Sequence, residues 1–278
     1  MSTNVVMSEP DTYIGTIPII AQGDSWYSFG SVPPWHTGNV LTHIKFKRDA
    51  TIVDYAQPGQ MIRDMCTNPD SYFNIALTQR SATAFNAIMV SGGGNDTIAW
   101  LRRDASLPAT QRLLLLPTEW QPVAAGDKPA SRYISQAGWH LLAAQIMTGY
   151  QNFADLRARS SNPNAMIITH TYDYSVPRPA GIPTATKGWM YPALNTYGIP
   201  AADWNAVSAY LIDSMADFVL NTVIKAIPNM TMVDLRGTLT PALPGTTGPS
   251  NDWANEIHPI PDGYAKLALR FNAFLPYL

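Results

Sequence analysis

Cysteine is almost missing: Cys66 stands alone among 278 residues, so no internal disulfide can form and nothing points to an oxidising compartment. Charge is scarce too, at 14% of residues against roughly 25% in an average soluble protein. There is no run of lysine or arginine, and the net charge is −2, which argues against a nucleic-acid or anionic-membrane partner. No segment approaches eighteen consecutive apolar residues, and Met1 to Asp11 lacks both a basic start and an apolar run of signal-peptide length. The expectation is a soluble, cytoplasmic protein without membrane insertion.

What is present is enough apolar material for a large core. Hydrophobic residues make up 46% of the chain, and a chain this long buries about three quarters of its unfolded surface. Neither a linker nor an internal repeat divides it, so residues 1–278 are expected to form one domain with an ordered core over 12–278.

Short apolar runs recur, and each stops at turn residues. Ile17 to Gln22 ends at Gly23-Asp24-Ser25, Thr51 to Ala56 at Gln57-Pro58-Gly59, and Asn86 to Ser91 at Gly92-Gly93-Gly94-Asn95-Asp96. Ala165 to Thr169 leads into His170-Thr171-Tyr172-Asp173, and Met230 to Asp234 is the fifth run. Between them lie stretches of helical period, predicted over Trp35 to Lys47, from Met61, over Asp70 to Thr83, Ser131 to Arg159, Ala201 to Ile227 and Asp262 to Phe274. Strand and helix alternate, so the fold class is α/β with a five-stranded parallel sheet covered on both faces. The proline- and glycine-rich stretch 176–200 reads as a substrate-side loop.

In such a sheet the strand C-termini open on one rim. That rim collects Ser25, Gly59 and Asn95, with His258 beyond the fifth strand. Ser25 is the candidate nucleophile, since a serine hydroxyl attacks only when a base takes its proton, and His258 is the base on the same rim. The backbone N–H of Ser25, the N–H of Gly59 and the side-chain amide of Asn95 are candidate oxyanion-hole donors.

Gly23-Asp24-Ser25, an isolated Gly59, Gly93-Gly94-Asn95-Asp96 and His258-Pro259 resemble, in order, the four blocks of the SGNH (GDSL-type) serine hydrolases. The blocks span residues 23 to 259. The resemblance implies a three-layer, flavodoxin-like α/β/α fold and hydrolysis of carboxylic esters, with a small-molecule ester as substrate and no cofactor. It also implies an aspartate three residues before the histidine, and there this chain has Asn255. An amide can accept the imidazole N–H but carries no charge, and the corresponding change lowers turnover about 10⁴-fold in a serine protease. Asp252 upstream, Asn255 as a neutral orienter, Asp173 and the adjacent Glu256 are the alternatives for this role.

Other residues have blander readings. Asp24 suits a brace for the serine turn and Asp96 a helix cap; Gly59 after Pro58 also suits a plain turn. His36, His43 and His140 have no partner at ligand spacing, and no metal is implied. Trp26, His170 and Asp173 are candidate substrate contacts, and Trp189 and Tyr191 either line a pocket or pack. Two rival functions stay open: a non-catalytic carbohydrate- or ligand-binding module on the same fold, motivated by Asn255, and a metal-dependent phosphoester hydrolase using Asp24, Asn95, His170 and His258.

Overall fold

Six strands form one sheet in which every neighbouring pair is parallel: β1 (Thr3–Val6), β2 (Ile17–Gly23), β3 (Ala50–Asp54), β4 (Ala87–Ser91), β5 (Met166–His170) and β6 (Met230–Val233). Their order is β1-β3-β2-β4-β5-β6. The computed structural model describes residues 3–6, 16–28, 38–79, 83–182 and 187–274. The expected strands are β2 to β6, and they follow the flavodoxin-like order, with the second strand on one side of the first and the third on the other. β1 adds a sixth at the edge, paired with β3, from an opening segment too polar to signal it. Ile19, Ile20, Ile52, Val53, Ile88, Ile167 and Ile168 are wholly buried, as a parallel sheet covered on both faces requires.

Helices α1 (Tyr72–Thr78), α2 (Gly94–Leu101), α3 (Gln136–Ala158), α4 (Met190–Thr196), α5 (Trp204–Phe218), α6 (Ile224–Ala226) and α7 (Pro261–Phe274) complete the layers. α1 and α2 pack on α3, while α7 packs on β6 and on the 3-10 turn Leu41–His43. α3 starts where the Ser135 hydroxyl accepts the Gly138 N–H at 3.1 Å, and it buries Leu142, Ile146, Tyr150 and Phe153 along one stripe. The helical run Ala201–Ala226 is long and apolar enough to cross a membrane by length and composition. Here it packs beside Pro129–Tyr133, and its Asp213 is paired with Lys128 at 2.6 Å and Arg236 at 3.0 Å.

Four expected segments differ from what the structure shows. Of the helix expected over Trp35 to Lys47, only the turn Leu41–His43 is helical among the described residues; residues 35–37, His36 among them, lie outside these. Met61 to Met65 forms turns instead of a helix, because the Ile62 N–H leaves the local ladder and donates to Asp96 Oδ2 at 2.9 Å. The helix expected over Asp70 to Thr83 shortens to α1, capped where Ser71 Oγ accepts the Asn74 N–H, and residues 80–82 are outside the described set. Within 176–200, expected to be loop, lies α4; Pro192 falls in its first turn, where the missing N–H is harmless, and residues 183–186 are outside the described set.

The chain leaves β2 for β3 on one side and later returns to β4 on the other, so the topological switch point lies between the ends of β2 and β4. Their register closes on Gly23 opposite Ser91. A β-carbon on Gly23 would meet Ser91 Cβ at 2.7 Å and the Ser91 carbonyl oxygen at 2.8 Å. Gly23→Ala is therefore expected to lower stability by about 1–3 kcal/mol, read as a shifted urea midpoint. An unchanged midpoint would show that the two strands part without cost.

Candidate active site

Ser25 is the second residue past the end of β2, and Asp24 holds its turn. The Asp24 carboxylate is buried; Oδ1 accepts the Trp26 N–H at 3.0 Å and the Ser91 hydroxyl at 2.8 Å, and Oδ2 accepts the Tyr172 hydroxyl. Burial pushes this carboxyl up to about 6, against the pull of its three donors. The Asp24 N–H extends the ladder to the Ser91 carbonyl at 3.0 Å. Tyr172 reaches Asp24 by lying against the start of α2, where a β-carbon on Gly94 would sit 2.7 Å from its ring. Asp24 is thus a brace, its carboxylate taken up by three donors.

The histidine arrives on a tight loop. Ala254 N–H donates to the His258 carbonyl at 2.8 Å, and the Asn255 side-chain oxygen accepts the backbone N–H groups of Ile257 at 3.1 Å and His258 at 2.9 Å. Backbone N–H groups can only donate, so they fix which end of the Asn255 amide is oxygen. That same oxygen lies 3.0 Å from His258 Nδ1, so Nδ1 carries the proton. Nε2 is then an acceptor, and it lies 2.7 Å from Ser25 Oγ. Ser25 and His258, 233 positions apart in sequence, are in hydrogen-bond contact. No carboxylate touches the imidazole among the described residues, and burial lowers its pKa to about 4.

Each carboxylate considered for the acid is held elsewhere. Asp252 binds Lys266 at 2.6 and 2.7 Å and accepts the Thr240 N–H at 2.7 Å, so the Asp252 alternative is corrected: the Lys266 cation draws it away from the imidazole. Asp173 accepts the N–H groups of Tyr174, Gly237, Thr238 and Leu239. Glu256 accepts those of Arg178, Trp189, Met190 and Tyr191, which caps the start of α4 from a residue far along the chain. Asn255 alone occupies the orienting position.

On the far side of Ser25, α2 and the loop after β3 meet. Asn95 Nδ2 donates to the Gln60 carbonyl at 3.1 Å, and its second N–H has no protein acceptor among the described residues. Asp96 takes the Ile62 N–H, so it braces this loop where a helix cap was expected. Among the described residues the amides of Ser25 and Gly59 have no protein acceptor either. Gly59 has a φ of 79° and sits at the exposed rim, outside the residues that line the adjoining cleft.

No family model matches the sequence, and no curated protein matches it. Solved structures do. A catalytic mutant of an acetylxylan esterase from Geobacillus stearothermophilus is 14% identical with a TM-score of 0.44, the match covering 96% of this chain and 98% of that one. An extracellular lipase from Streptomyces rimosus is 13% identical at 0.44, over 93% and 99%. A proposed SGNH hydrolase from Slackia heliotrinireducens is 11% identical at 0.42, over 93% and 98%.

Of the candidate substrate contacts, Trp26 and Asp173 line the cleft beside Ser25. His170 does not: it is buried, stacked on Trp26 at 5.7 Å and against Tyr27, Tyr172 and Phe271, and its Nδ1 faces the Thr171 carbonyl at 2.8 Å. That expectation is corrected, since β5 carries its last side chain into the core below the rim. With Asp24 braced and His170 enclosed, the four groups weighed for a metal do not face one point. Trp189 packs edge-on against His258 at 5.4 Å, and Arg178, wholly buried, donates to the Asn255 carbonyl at 2.7 Å. Neither Arg178 nor Tyr172 carried a local signal in the sequence; Ser91, at a strand end before the glycines, did.

Histidine-selective NMR should find His258 as the Nδ1–H tautomer and neutral until the pH falls through about 4. Asn255→Asp sets an anion 3.0 Å from Nδ1, favouring the imidazolium, and should raise that midpoint by about one to three units. A wild-type midpoint near 6.5, unmoved by the substitution, would refute the arrangement.

Proposed function

We propose that this chain hydrolyses carboxylic esters through an acyl-serine intermediate. The observation that carries the reading is the Ser25 Oγ to His258 Nε2 contact of 2.7 Å in the one tautomer that leaves Nε2 free to accept. Ser25 Oγ attacks the ester carbonyl as its proton passes to Nε2. The carbonyl oxygen becomes an oxyanion facing the Ser25 and Gly59 amides and the free N–H of Asn95, and neutral donors placed where charge develops lower the barrier most in a site poor in water. Collapse expels the alkoxide, which takes the proton from Nε2 and leaves as alcohol. Water then gives its proton to Nε2, attacks the acyl-serine carbonyl, and releases the acid as Ser25 recovers its hydrogen.

Asn255 makes this a Ser–His pair with a neutral orienter. The penalty for placing Asn opposite a catalytic histidine arises in part from the wrong tautomer; here two backbone N–H groups turn the amide oxygen toward Nδ1, which supports the right one. The missing charge remains as a cost to the imidazolium.

Ser25→Ala is expected to reduce hydrolysis of a short aryl ester by about 10⁴-fold or more, and an active-site-directed phosphonate should label Ser25 alone by mass spectrometry. Full activity in Ser25→Ala, or no turnover above background in the wild type, would overturn the proposal, the second result favouring a binding module. Asn95→Ala should lower kcat by about 10²–10³-fold. Asp252→Asn should lower thermal stability while kcat stays within about threefold, since its carboxylate serves Lys266 and Thr240; a loss as deep as that of Asn255→Ala would return Asp252 to the mechanism.

A further inference from the structure

Beside Ser25 lies a cleft open to solvent. Ile98 and Leu101 of α2 form one wall, Leu211, Ile212 and Met215 of α5 the other, and Met190 of α4 adds to them. Polar side chains line it as well, yet most are engaged by protein. Asp173 holds four backbone N–H groups. The Ser208 hydroxyl donates to the Ser175 carbonyl at 2.7 Å, Thr97 to the Gly93 carbonyl at 2.8 Å, and Tyr172 to Asp24. The Trp253 indole nitrogen is shut from solvent. Besides Ser25, the lining side chains among the described residues that stay open to a ligand are the Ser175 hydroxyl and the Asn95 amide.

Such a lining cannot satisfy a polyhydroxylated group, because each hydroxyl buried without a partner lowers affinity by roughly five- to a hundredfold. It suits a hydrocarbon chain. Which end of the ester enters follows from the proton: His258 hands it to the departing alcohol, so the alcohol lies against Nε2. His258 itself is not among the residues lining the cleft, although Trp253 and Ile257 of its loop are, and one wall is α2, which carries Asn95.

We infer that the cleft between α2 and α5 holds the acyl chain, and that the substrates are esters of aliphatic acids longer than acetate. This rests on the ester-hydrolase proposal. Its test is kcat/KM on nitrophenyl esters from acetate upward, each below its solubility limit, beside a series of acetate esters of lengthening alcohols and an acetylated xylo-oligosaccharide. The acyl series should rise about fourfold per methylene until the cleft is full, with octanoate at least about a hundredfold above acetate; the alcohol series should stay flat and the sugar ester should be the poorest substrate. Ile98→Trp and Ile212→Asn, at half-buried positions on opposite walls, should each cut the octanoate-to-acetate ratio by at least about tenfold. Acetate hydrolysed as fast as octanoate, a dependence on alcohol length, a preferred sugar ester, or an unchanged ratio in both folded variants would overturn the inference while leaving Ser25 chemistry standing. Absence of both turnover and phosphonate labelling would instead fail the underlying reading.

Discussion

One amide oxygen carries the arrangement at the rim. Asn255 Oδ1 accepts two backbone N–H groups and faces His258 Nδ1, so it shapes the loop and selects the tautomer together. Those two tasks are usually divided between backbone and carboxylate. Burial has an energetic consequence that the neutral amide does not offset: with its pKa lowered to about 4, the imidazole is about 3 kcal/mol harder to protonate than a free histidine. In exchange it stays in the accepting form over almost the whole pH range, so no fraction of the base is lost to protonation near neutrality.

The histidine loop is locked to the stretch before α4 by two buried groups. Glu256 gathers the N–H groups of Arg178, Trp189, Met190 and Tyr191, and Arg178 returns a bond to the Asn255 carbonyl. Buried ionisable groups are costly unless paired, and although Arg178 Nε lacks a partner among the described residues, the remaining bonds tie the loop and the segment together. Trp189 then rests edge-on against the His258 ring, shielding it from water. The shielding and the low basicity of the imidazole are one fact seen from two sides.

Much of this was legible in the sequence because the chemistry sits at strand ends. The apolar runs stopping at Gly23, Gly59 and Gly92 marked the rim, and alternation of periods marked the parallel sheet whose order brings Ser25 to the switch point. What stayed hidden depends on contacts between distant segments. α4 is started by Glu256 from outside its own sequence, so a stretch rich in proline and glycine gave no local sign of a helix. Met61 to Met65 has helical composition, yet Asp96 draws off the Ile62 N–H. The choice between Asp252 and Asn255 turned on Lys266, one helix later, which no spacing rule near the histidine contains.

The neutral orienter and the apolar cleft fit together. Asp24, Asp173 and Glu256 lie buried around the site, and each carboxylate is held by three or more protein donors. A carboxylate at position 255 would find the N–H groups of Ile257 and His258 and the imidazole, with the Arg178 guanidinium bound to the carbonyl of the same residue. An ion in low dielectric costs several kcal/mol unless it is fully paired, and the proposed acyl chain in the cleft would strip nearby water and raise that cost. With asparagine, the serine, the imidazole and both amides are uncharged in the resting site, so the proposed acyl chain would enter without desolvating an ion at the histidine loop. In the proposed mechanism charge arises only in the chemical step, as an imidazolium and an oxyanion that form as a pair on either side of Ser25 and vanish together.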